Sequence, residues 1–397
     1  MPLSQPKTVV VLGGGPAGSH TAEFLARAGI RTILLDEKLA WEKPCGGGLT
    51  YKAYEKYRYI ADNSAPKRAI HDTYISAPQA GRVKLSMERP MLIYSRTDLN
   101  RMLLQRAERA GAQIEKTRVL GALRTSPGWT IRTPHGNIQA DYCVLATGAR
   151  NSLRNLGTQF TAADTMLALG YYVPGHRDAV DIQFLDGLEG YIWVFPRCGH
   201  LSVGICGKGQ PAAALRVLLE RYMREHELPI AGSTFYAHLL PAVESPGWRK
   251  NRVSGDGWLA VGDAGGLVDP ITGEGLYYAL RSSELASQVV LNDRVAPAAK
   301  AMAYDEAIRK DFMDDLAFGA SLARRVFLQK FPLVGRTPDA MVRLVRRSQK
   351  FQHLMQDLFA GTQPYLELKQ RLTRNLGSGL QQVLVNFFLQ RVVSGAK

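Results

Sequence analysis

The sequence has few cysteines, no long apolar run and fewer acidic than basic residues. Its four cysteines form no Cys-x-x-Cys pair and its eight histidines form no His-x-x-x-His pair, so we expect neither a disulfide framework nor a metal site. No apolar run reaches the ~18–20 residues of a membrane-spanning helix. A strand already begins at Thr8, which leaves no room for a signal peptide. These absences predict a cytoplasmic protein that does not cross a membrane.

The excess of basic residues is concentrated near the end of the chain. The 397 residues include 50 Lys and Arg against 35 Asp and Glu, a net charge of +15. Residues 316–397 contain 13 of the basic and 3 of the acidic residues, and so ten of the fifteen positive charges. Such a surface suits an anionic membrane, an acidic protein, nucleic acid or solvent alone. Nucleic acid is the weakest of these partners, because no aromatic–basic interleaving of the recognised kinds is present.

The basic segment also has the pattern of amphipathic helices. Bulky apolar residues accompany the basic ones in three places: Phe327, Phe331, Leu333 and Val334 with Arg324, Arg325 and Lys330; Met341, Leu344 and Val345 with Arg343, Arg346 and Arg347; and residues 380–389 before Arg391. One interpretation is a peripheral contact with the inner face of a membrane. The alternative is that the apolar sides pack on the protein and the charges face solvent.

The first 36 residues have the complete pattern of a nucleotide-binding βαβ unit. Thr8–Leu12 is a strand, and the following Gly13-Gly14-Gly15-Pro16-Ala17-Gly18 matches Gly-x-Gly-x-x-Gly. After a helix, the strand Arg31–Leu35 ends at Asp36. In this unit the glycine loop places a pyrophosphate on the helix N-terminus, and the acidic residue binds a ribose. Asp36 suits that role better than Glu37, because it directly follows the apolar run.

A later stretch indicates that the dinucleotide is FAD. The apolar strand Trp258–Val261 delivers Asp263 to a turn of small residues, Gly262-Asp263-Ala264-Gly265-Gly266. Such a turn lets backbone N–H groups approach an anion closely, while the carboxylate can bind a polyol. A pyrophosphate beside a sugar-like chain is the middle of FAD. A third strand ending at Val144-Leu145 enters a similar turn, Ala146-Thr147-Gly148.

The nucleotide-binding segments are separated by other segments, which excludes an NAD dehydrogenase with continuous βαβ units. We predict an α/β protein with an FAD-binding, Rossmann-like, three-layer ββα domain built from residues 1–70, 95–160 and 250–295. A β-rich substrate domain takes residues 71–94 and 161–249, and residues 296–397 are helical. The remaining expected elements are helices at Ser19–Ala28, Arg96–Ala110 and Pro211–His226, and strands at Met166–Val173, Asp181–Phe184, Tyr191–Phe195, Leu201–Cys206 and Phe235–Leu240.

At this point the chain resembles a known family. It is similar to the FAD-dependent oxidoreductases of the p-hydroxybenzoate-hydroxylase type and, among them, to the geranylgeranyl reductases. Three motifs carry the resemblance: Pro44-Cys45-Gly46-Gly47-Gly48-Leu49, Tyr191-Ile192-Trp193-Val194-Phe195-Pro196, and Gly262–Leu276 with its Pro270 and Gly273-Glu274-Gly275. The resemblance implies reduction of isolated C=C bonds in an isoprenoid lipid substrate, with electrons from NAD(P)H, a ferredoxin-like protein or a quinol.

The alternative is an FAD-dependent monooxygenase or halogenase acting on an aromatic substrate. Thr147-Gly148 stands where many flavin hydroxylases of this superfamily have Asp-Gly, which weakens that alternative. The residues expected to bind FAD are Gly13, Gly15, Pro16, Ala17, Gly18, Asp36, Glu37, Cys45, Gly46, Gly47, Arg96, Ala146, Thr147, Gly148, Gly262, Asp263, Gly273, Glu274, Gly275 and Leu276. Of these, Arg96 and the Cys45 loop are placed near the flavin by the resemblance alone.

Two residues are candidates for donating a proton to the substrate. Cys45 lies between a proline and three glycines, and an ordinary thiol is protonated at neutral pH; the alternative is a buried, small apolar residue. Tyr191 is the second candidate. Tyr191, Trp193 and Phe195 alternate along one strand and so share one face, which is either a sheet core or the floor of a substrate tunnel. Trp193, Phe195 and Pro270 are the predicted substrate contacts.

Overall fold

A computed structural model describes residues 7–153, 156–331 and 335–375. Its strands in chain order are β1 (Thr8–Leu12), β2 (Arg31–Asp36), β3 (Gly48–Leu49), β4 (Lys67–Ala77), β5 (Gly81–Tyr94), β6 (Gln113–Lys116), β7 (Gly121–Arg124), β8 (Trp129–Thr133), β9 (Gly136–Ala140), β10 (Tyr142–Leu145), β11 (Thr165–Pro174), β12 (Ala179–Phe184), β13 (Gly190–Pro196), β14 (His200–Gly207), β15 (Thr234–Pro241), β16 (Ser254–Gly255), β17 (Trp258–Ala260), β18 (Lys330–Phe331) and β19 (Gly335–Arg336).

Its helices in chain order are α1 (Pro16–Arg27), α2 (Tyr51–Lys56), α3 (Arg96–Arg109), α4 (Ala212–Glu225), α5 (Ser245–Lys250), α6 (Leu276–Leu291), α7 (Lys300–Ile308), α8 (Asp314–Leu328), α9 (Thr337–Arg347), α10 (Gln349–Ala360) and α11 (Tyr365–Asn375). A π-helical turn, Arg309–Met313, joins α7 to α8. Among the described residues, no helix combines the length and the hydrophobicity needed to span a bilayer.

The first sheet has the order β16-β17-β10-β1-β2-β6, and all its neighbours are parallel except β16. Because side chains alternate along a strand, Val9 and Val11 of β1 pack with α1, α3 and α6, whereas Val10 and Leu12 pack against the meander β7-β8-β9. Helices, parallel sheet and meander are the three layers predicted from the sequence, and the α/β fold class is confirmed.

The second sheet has the order β15-β11-β14-β13-β12-β4-β5-β3. One face packs against α4 through Leu215, Leu219 and Met223. The opposite face packs against the C-terminal helices through residues that include Phe327, Val342 and Phe351. One end of this sheet, made of the long hairpin β4–β5 and the edge strand β3, comes from the N-terminal part of the chain. The sheet therefore lies between α4 and the C-terminal helices.

The C-terminal region contains short helices that cover the second sheet. On α9, Val342 and Val345 are buried, whereas Arg346 and Arg347 are exposed. The described part of the basic segment therefore packs its apolar side on the protein, as one of the two interpretations expected. The predicted amphipathic segment at residues 380–391, and the residues Leu333 and Val334, lie outside the described residues.

Most predicted elements are present, with two differences in detail. Helix α1 begins at Pro16 rather than near Ser19, because proline is well suited to the first turn, where its missing N–H is not needed. The predicted helical region, residues 296–397, is interrupted within the described residues by the short strands β18 and β19. The hairpin β4–β5 had been expected only as β-rich sequence, without bounds.

Candidate functional site

The glycine loop between β1 and α1 is packed so closely that side chains cannot replace two of its glycines. Gly13 has φ +115°, and a Cβ on it would lie 2.2 Å from the Ala146 oxygen. A Cβ on Gly18 would lie 1.8 Å from the Gly13 oxygen. By contrast, a Cβ on Gly15 would meet no described atom within 4 Å. The loop thus holds β1, β10 and α1 together at Gly13 and Gly18, and it faces open space at Gly15. Pro16 and Ala17, which follow, are buried in the first turn of α1.

Asp36 at the end of β2 is turned toward this loop. Its Oδ2 accepts the N–H of Gly14 at 2.7 Å, and its Oδ1 accepts the N–H groups of Lys38 and Leu39 at 2.7 and 2.6 Å. Glu37 is 54% exposed and lies 3.8 Å from Arg118. Of the two acidic candidates for ribose binding, the structure therefore brings Asp36 to the glycine loop and leaves Glu37 at the surface.

Three buried polar atoms near the glycine loop or near Asp263 have no hydrogen-bond partner among the described residues. They are Arg96 Nε at the start of α3, Thr147 Oγ1 after β10 and His238 Nε2 on β15. A buried polar atom without a partner is costly, so such atoms mark where a polar ligand would bind. Gly148, next to Thr147, has φ +77° and no described atom within 4 Å of a Cβ. This combination of a glycine cradle, open space and unpaired donors fits a dinucleotide.

Asp263 lies at the start of the turn after β17, where Lys43 Nζ donates to its Oδ2 at 2.9 Å. Burial alone would raise the pKa of this carboxyl, but Lys43, with His238 and Arg96, holds it below its usual value. Burial and the same lysine lower the pKa of His238 to about 4. At neutral pH the site thus presents an ionised carboxylate and an uncharged imidazole. Sequence analysis identified Asp263 and missed Lys43 and His238, which follow no motif.

The turn around Gly262 and the loop before α6 meet at this carboxylate. Gly262 has φ +59°, and a Cβ on it would lie 3.0 Å from the Ala17 Cβ. A Cβ on Gly275 would lie 3.4 Å from Asp263 Oδ1. Leu276 is the first residue of α6 and is buried. The positively polarised N-terminus of α6 is therefore adjacent to the expected cofactor space.

Residues 269–274 form a loop whose conformation is held by hydrogen bonds to the Asp269 side chain. Its Oδ1 accepts the N–H groups of Ile271 and Thr272 at 2.9 and 2.8 Å, and the Tyr365 hydroxyl from α11 at 2.8 Å. Burial raises the pKa of Glu274 on the same loop to about 7. Pro270 is buried near α8, with its Cγ 3.4 Å from a Cβ built on Gly319. Pro270 lies on the α8 side of this loop, and it does not line the cavity described next.

A cavity of about 630 Å³ lies between this loop, the second sheet and the C-terminal helices. Its wall contains Cys45, Gly46, Gly47, Tyr191, Trp193, Phe195, Gly273 and Glu274 from the predicted site, and mostly apolar residues from β4, β12, α10 and α11. Ile75 and Met91 line the same wall, and Met91 pairs with Ile70. Ile75 is five positions further along β4 than Ile70, so the wall is roughly 17 Å long.

The aromatic strand and the glycine triplet contact each other directly. Tyr191, Trp193 and Phe195 all line the cavity, as the alternation along β13 predicts, whereas Ile192 belongs to the core on the other face. A Cβ on Gly46 would lie 3.1 Å from the Phe195 ring, and one on Gly48 would lie 2.8 Å from it. At two of the three glycines, therefore, the absence of a side chain makes room for the Phe195 ring.

A buried arginine that sequence analysis missed holds the Cys45 loop in place. The Arg197 side chain is 0% exposed. It donates to Glu42 Oε1, to the carbonyl oxygen of Cys45, and to that of Gly46 at 3.2 Å. Its only sequence signal is its position directly after Pro196.

Glu42 connects the same loop to the N-terminus of α3. Its carboxylate accepts the Ser95 hydroxyl at 2.5 Å and the N–H groups of Arg96 and Thr97 at 2.8 and 3.2 Å. Burial opposes ionisation, but Arg197 and these donors hold the pKa of Glu42 below its usual value. The Cys45 loop is thereby anchored both to β13 and to the helix that presents Arg96.

The two proton-donor candidates differ in their hydrogen bonds. The Tyr191 hydroxyl donates to the Thr272 carbonyl oxygen at 2.6 Å, and burial holds the pKa of Tyr191 well above its usual value. The Sγ of Cys45 accepts the N–H of Gly47 at 3.3 Å, which leaves its own proton available. Both side chains line the cavity.

Comparison with known proteins agrees with this geometry. Residues 7–194 match the family described as FAD binding domain. A digeranylgeranylglycerophospholipid reductase 2 of Methanothermobacter thermautotrophicus is 29% identical over 71% of this chain and 77% of its own length. A menaquinone reductase of Mycolicibacterium smegmatis is 27% identical over 81% of this chain and 83% of its own length. The solved structure of a geranylgeranyl bacteriochlorophyll reductase-like protein from Thermoplasma acidophilum shares the fold, with a TM-score of 0.75, 23% identity, and coverage of 93% of this chain and 100% of that one.

The fold and the dinucleotide site define the chain as an FAD-dependent oxidoreductase, and FAD is its cofactor. Among these oxidoreductases it is similar to proteins named geranylgeranyl diphosphate reductase, digeranylgeranylglycerophospholipid reductase and menaquinone reductase. The resemblance drawn from the three sequence motifs is thus confirmed.

Proposed function

We propose that this protein reduces C=C double bonds in a long isoprenoid chain. The observation that carries the proposal is the cavity, because its roughly 17 Å wall is mostly apolar and ends at the Cys45 loop beside the FAD-binding elements. A long apolar chain fits such a space, whereas a compact aromatic substrate would leave most of it unfilled. The name of one relative includes a digeranylgeranyl lipid, which supports a substrate of this kind.

The residues of the chain then have distinct roles in the proposal. Gly13, Gly15, Gly18, Asp36, Arg96 and Asp263 hold FAD, which when reduced supplies a hydride equivalent. Trp193 and Phe195 fix the alkene by apolar contact and exclude water from it. Cys45 donates the proton from its Sγ, because the alkene has no polar group to activate and the Tyr191 proton is already bonded to a carbonyl oxygen.

Two further parts of the proposal concern partners. The electron donor is NAD(P)H or a ferredoxin-like protein. The exposed basic side of the C-terminal region, which includes Arg346 of α9, makes a peripheral contact with an anionic membrane surface on the inner face, since a lipid-tailed substrate has to leave a bilayer.

The proposal is tested with the FAD-loaded protein under anaerobic reduction. We expect each reduced double bond of a prenyl lipid to add the mass of two hydrogens. Replacing Cys45 with Ala should abolish turnover and retain bound FAD, whereas Cys198→Ala, outside the cavity wall, should have no effect. Hydroxylation or halogenation of an aromatic compound with oxygen consumption, and no prenyl reduction, would establish the alternative instead.

A further inference from the structure

The cavity reaches the surface at a pair of arginines. Among its described lining residues only Gly273 and Arg347 are exposed. Arg347 ends α9, and Arg343, one helical turn earlier, also lines the cavity. Residues four apart lie on the same face of a helix. The two guanidinium groups therefore flank one opening of the cavity.

This opening lies at the end of the cavity remote from the Cys45 loop. The neighbouring Arg346 donates to the carbonyl oxygens of Ala80 and Arg82, at the turn of the hairpin β4–β5. Ile75 is close to that turn, whereas Met91 is beside Gly48, with its sulfur 2.6 Å from a Cβ built there. The arginine pair thus lies beyond the Ile75 end of the roughly 17 Å wall.

Charge in this part of the protein favours an anion. The acidic residue of α9, Asp339, is 0% exposed and turned inward, where its Oδ1 accepts the N–H groups of Gln79 and Ala80 at 2.8 and 3.0 Å. The C-terminus of a helix has a negative partial charge of about 0.5. The full positive charges of Arg347 on its last turn and of Arg343 one turn earlier exceed it. Guanidinium groups also bind phosphate oxygens in pairs.

Lys52 also lines the cavity but is a poorer anion site. Burial lowers its pKa, and it lies in the field of four carboxyl groups: Asp315, Asp311, Asp269 and Glu274. These carboxyl groups would repel a phosphate. An anionic group in the apolar interior would lose its hydration without compensation. Of the basic residues described in the cavity wall, Arg343 and Arg347 therefore offer the favourable position for an anion attached to a long apolar chain.

We propose that Arg343 and Arg347 bind a phosphate or diphosphate group at the polar end of the isoprenoid substrate. This rests on the proposed function, because it takes the cavity as the site of the chain. The head group stays at the opening, and the chain extends inward to the Cys45 loop. The protein then selects prenyl phosphates or phospholipids over prenyl alcohols and prenylated quinones, which have no anionic end.

The test compares geranylgeranyl diphosphate with geranylgeraniol, which has the same chain and no charge. In the Arg343→Gln/Arg347→Gln protein, we expect KM for the diphosphate to rise about tenfold or more, with kcat and the KM for the alcohol little changed. Inorganic diphosphate should compete with the wild type and not with this variant. The Arg343→Lys/Arg347→Lys protein should recover part of the loss.

Controls separate this inference from general charge effects and from the proposed function. Arg324→Gln/Lys350→Gln removes two exposed charges outside the cavity wall and should leave KM unchanged; an equal rise in KM there would overturn the inference. The inference also fails if the wild type reduces both substrates with the same KM. It fails equally if phosphatidate vesicles, and not geranylgeranyl diphosphate, bind through the two arginines. Failure to reduce either substrate would refute the proposed function, and calorimetric titration with geranylgeranyl diphosphate would still test the arginine site.

Discussion

Replacing Arg197 with Met tests whether one buried guanidinium holds the Cys45 loop in place. The side chain is fully buried and donates to the Glu42 carboxylate and to two carbonyl oxygens, those of Cys45 and Gly46. Methionine has a similar apolar stem but no donor. The substitution therefore removes three hydrogen bonds and leaves most of the packing.

The expected loss of stability depends on which hydrogen bonds the partners of Arg197 keep after the substitution. All three bonds are donated by a charged guanidinium, and a hydrogen bond to a charged group contributes about 1.5–3 kcal/mol. Glu42 keeps its bonds from the N-terminus of α3, and the Cys45 carbonyl keeps the Ser202 hydroxyl at 2.9 Å. The cost of breaking a buried ion pair, about 3–5 kcal/mol, is therefore an upper limit. We expect the free energy of unfolding to fall by about 2–4 kcal/mol.

Two measurements are needed, because a stability loss alone would not show that the loop is affected. Urea unfolding gives the free energy, and mass spectrometry of iodoacetamide-treated native protein gives the alkylation rate of Cys45, which should rise. Arg101→Met is the control: its guanidinium is 54% exposed and pairs with Asp98 one turn away on the same helix, so its loss should be about 1 kcal/mol or less. An unchanged Cys45 alkylation rate in the Arg197→Met protein would refute the positioning role.

The remaining predictions concern the cofactor loop, a buried acid and the aromatic strand. Gly18→Ala should lower both stability and FAD affinity, because its Cβ would lie 1.8 Å from a backbone oxygen, whereas Gly15→Ala, facing open space, should weaken only FAD binding; flavin titration and melting of the apoprotein distinguish the two. Burial raises the pKa of Glu274 from 4.5 to about 7, so its protonated form stabilises the fold and this contribution is lost as pH rises from about 4.5 to 7. In the Glu274→Gln protein this fall in the free energy of unfolding, about 3 kcal/mol at most, should be absent. Urea unfolding at pH 4.5 and at pH 8 measures it. Gly204→Ala would place a Cβ 2.3 Å from the Trp193 ring, and should shift tryptophan fluorescence and raise KM for the prenyl substrate.

The N-terminal βαβ unit was predictable from sequence because its determinants are local. An apolar run, a glycine loop and an acid at the end of the second strand each specify their own segment, and β1 and β2 lie where the pattern put them. The alternation of Tyr191, Trp193 and Phe195 was predictable for the same reason, since a period of two fixes the shared face. The hairpin β4–β5 has mixed polarity and a register shift near Ile70, so no simple period marks its bounds.

The supporting residues of the site were not predictable, because their partners are distant in the chain. Arg197 and Glu42 are 155 positions apart, and Tyr365 reaches Asp269 across 96 positions. A charged residue after a strand is usually a surface residue, and nothing in the local sequence of Arg197 indicates full burial. His238 lies on a strand whose pattern gives no indication of the nearby Lys43 and Asp263.

These long-range contacts join two motifs that the sequence presents as separate. Phe195 packs on Gly46 and Gly48, and Arg197, two residues further along, bonds the carbonyl oxygens of Cys45 and Gly46. The glycine triplet is thus required by the protein's own packing, so its presence alone does not demonstrate contact with a flavin. The triplet does establish that the Cys45 thiol and the aromatic side chains of β13 are held in fixed positions relative to each other. A substitution on β13 should therefore shift the position of Cys45 through these backbone contacts, in addition to its effect on the substrate.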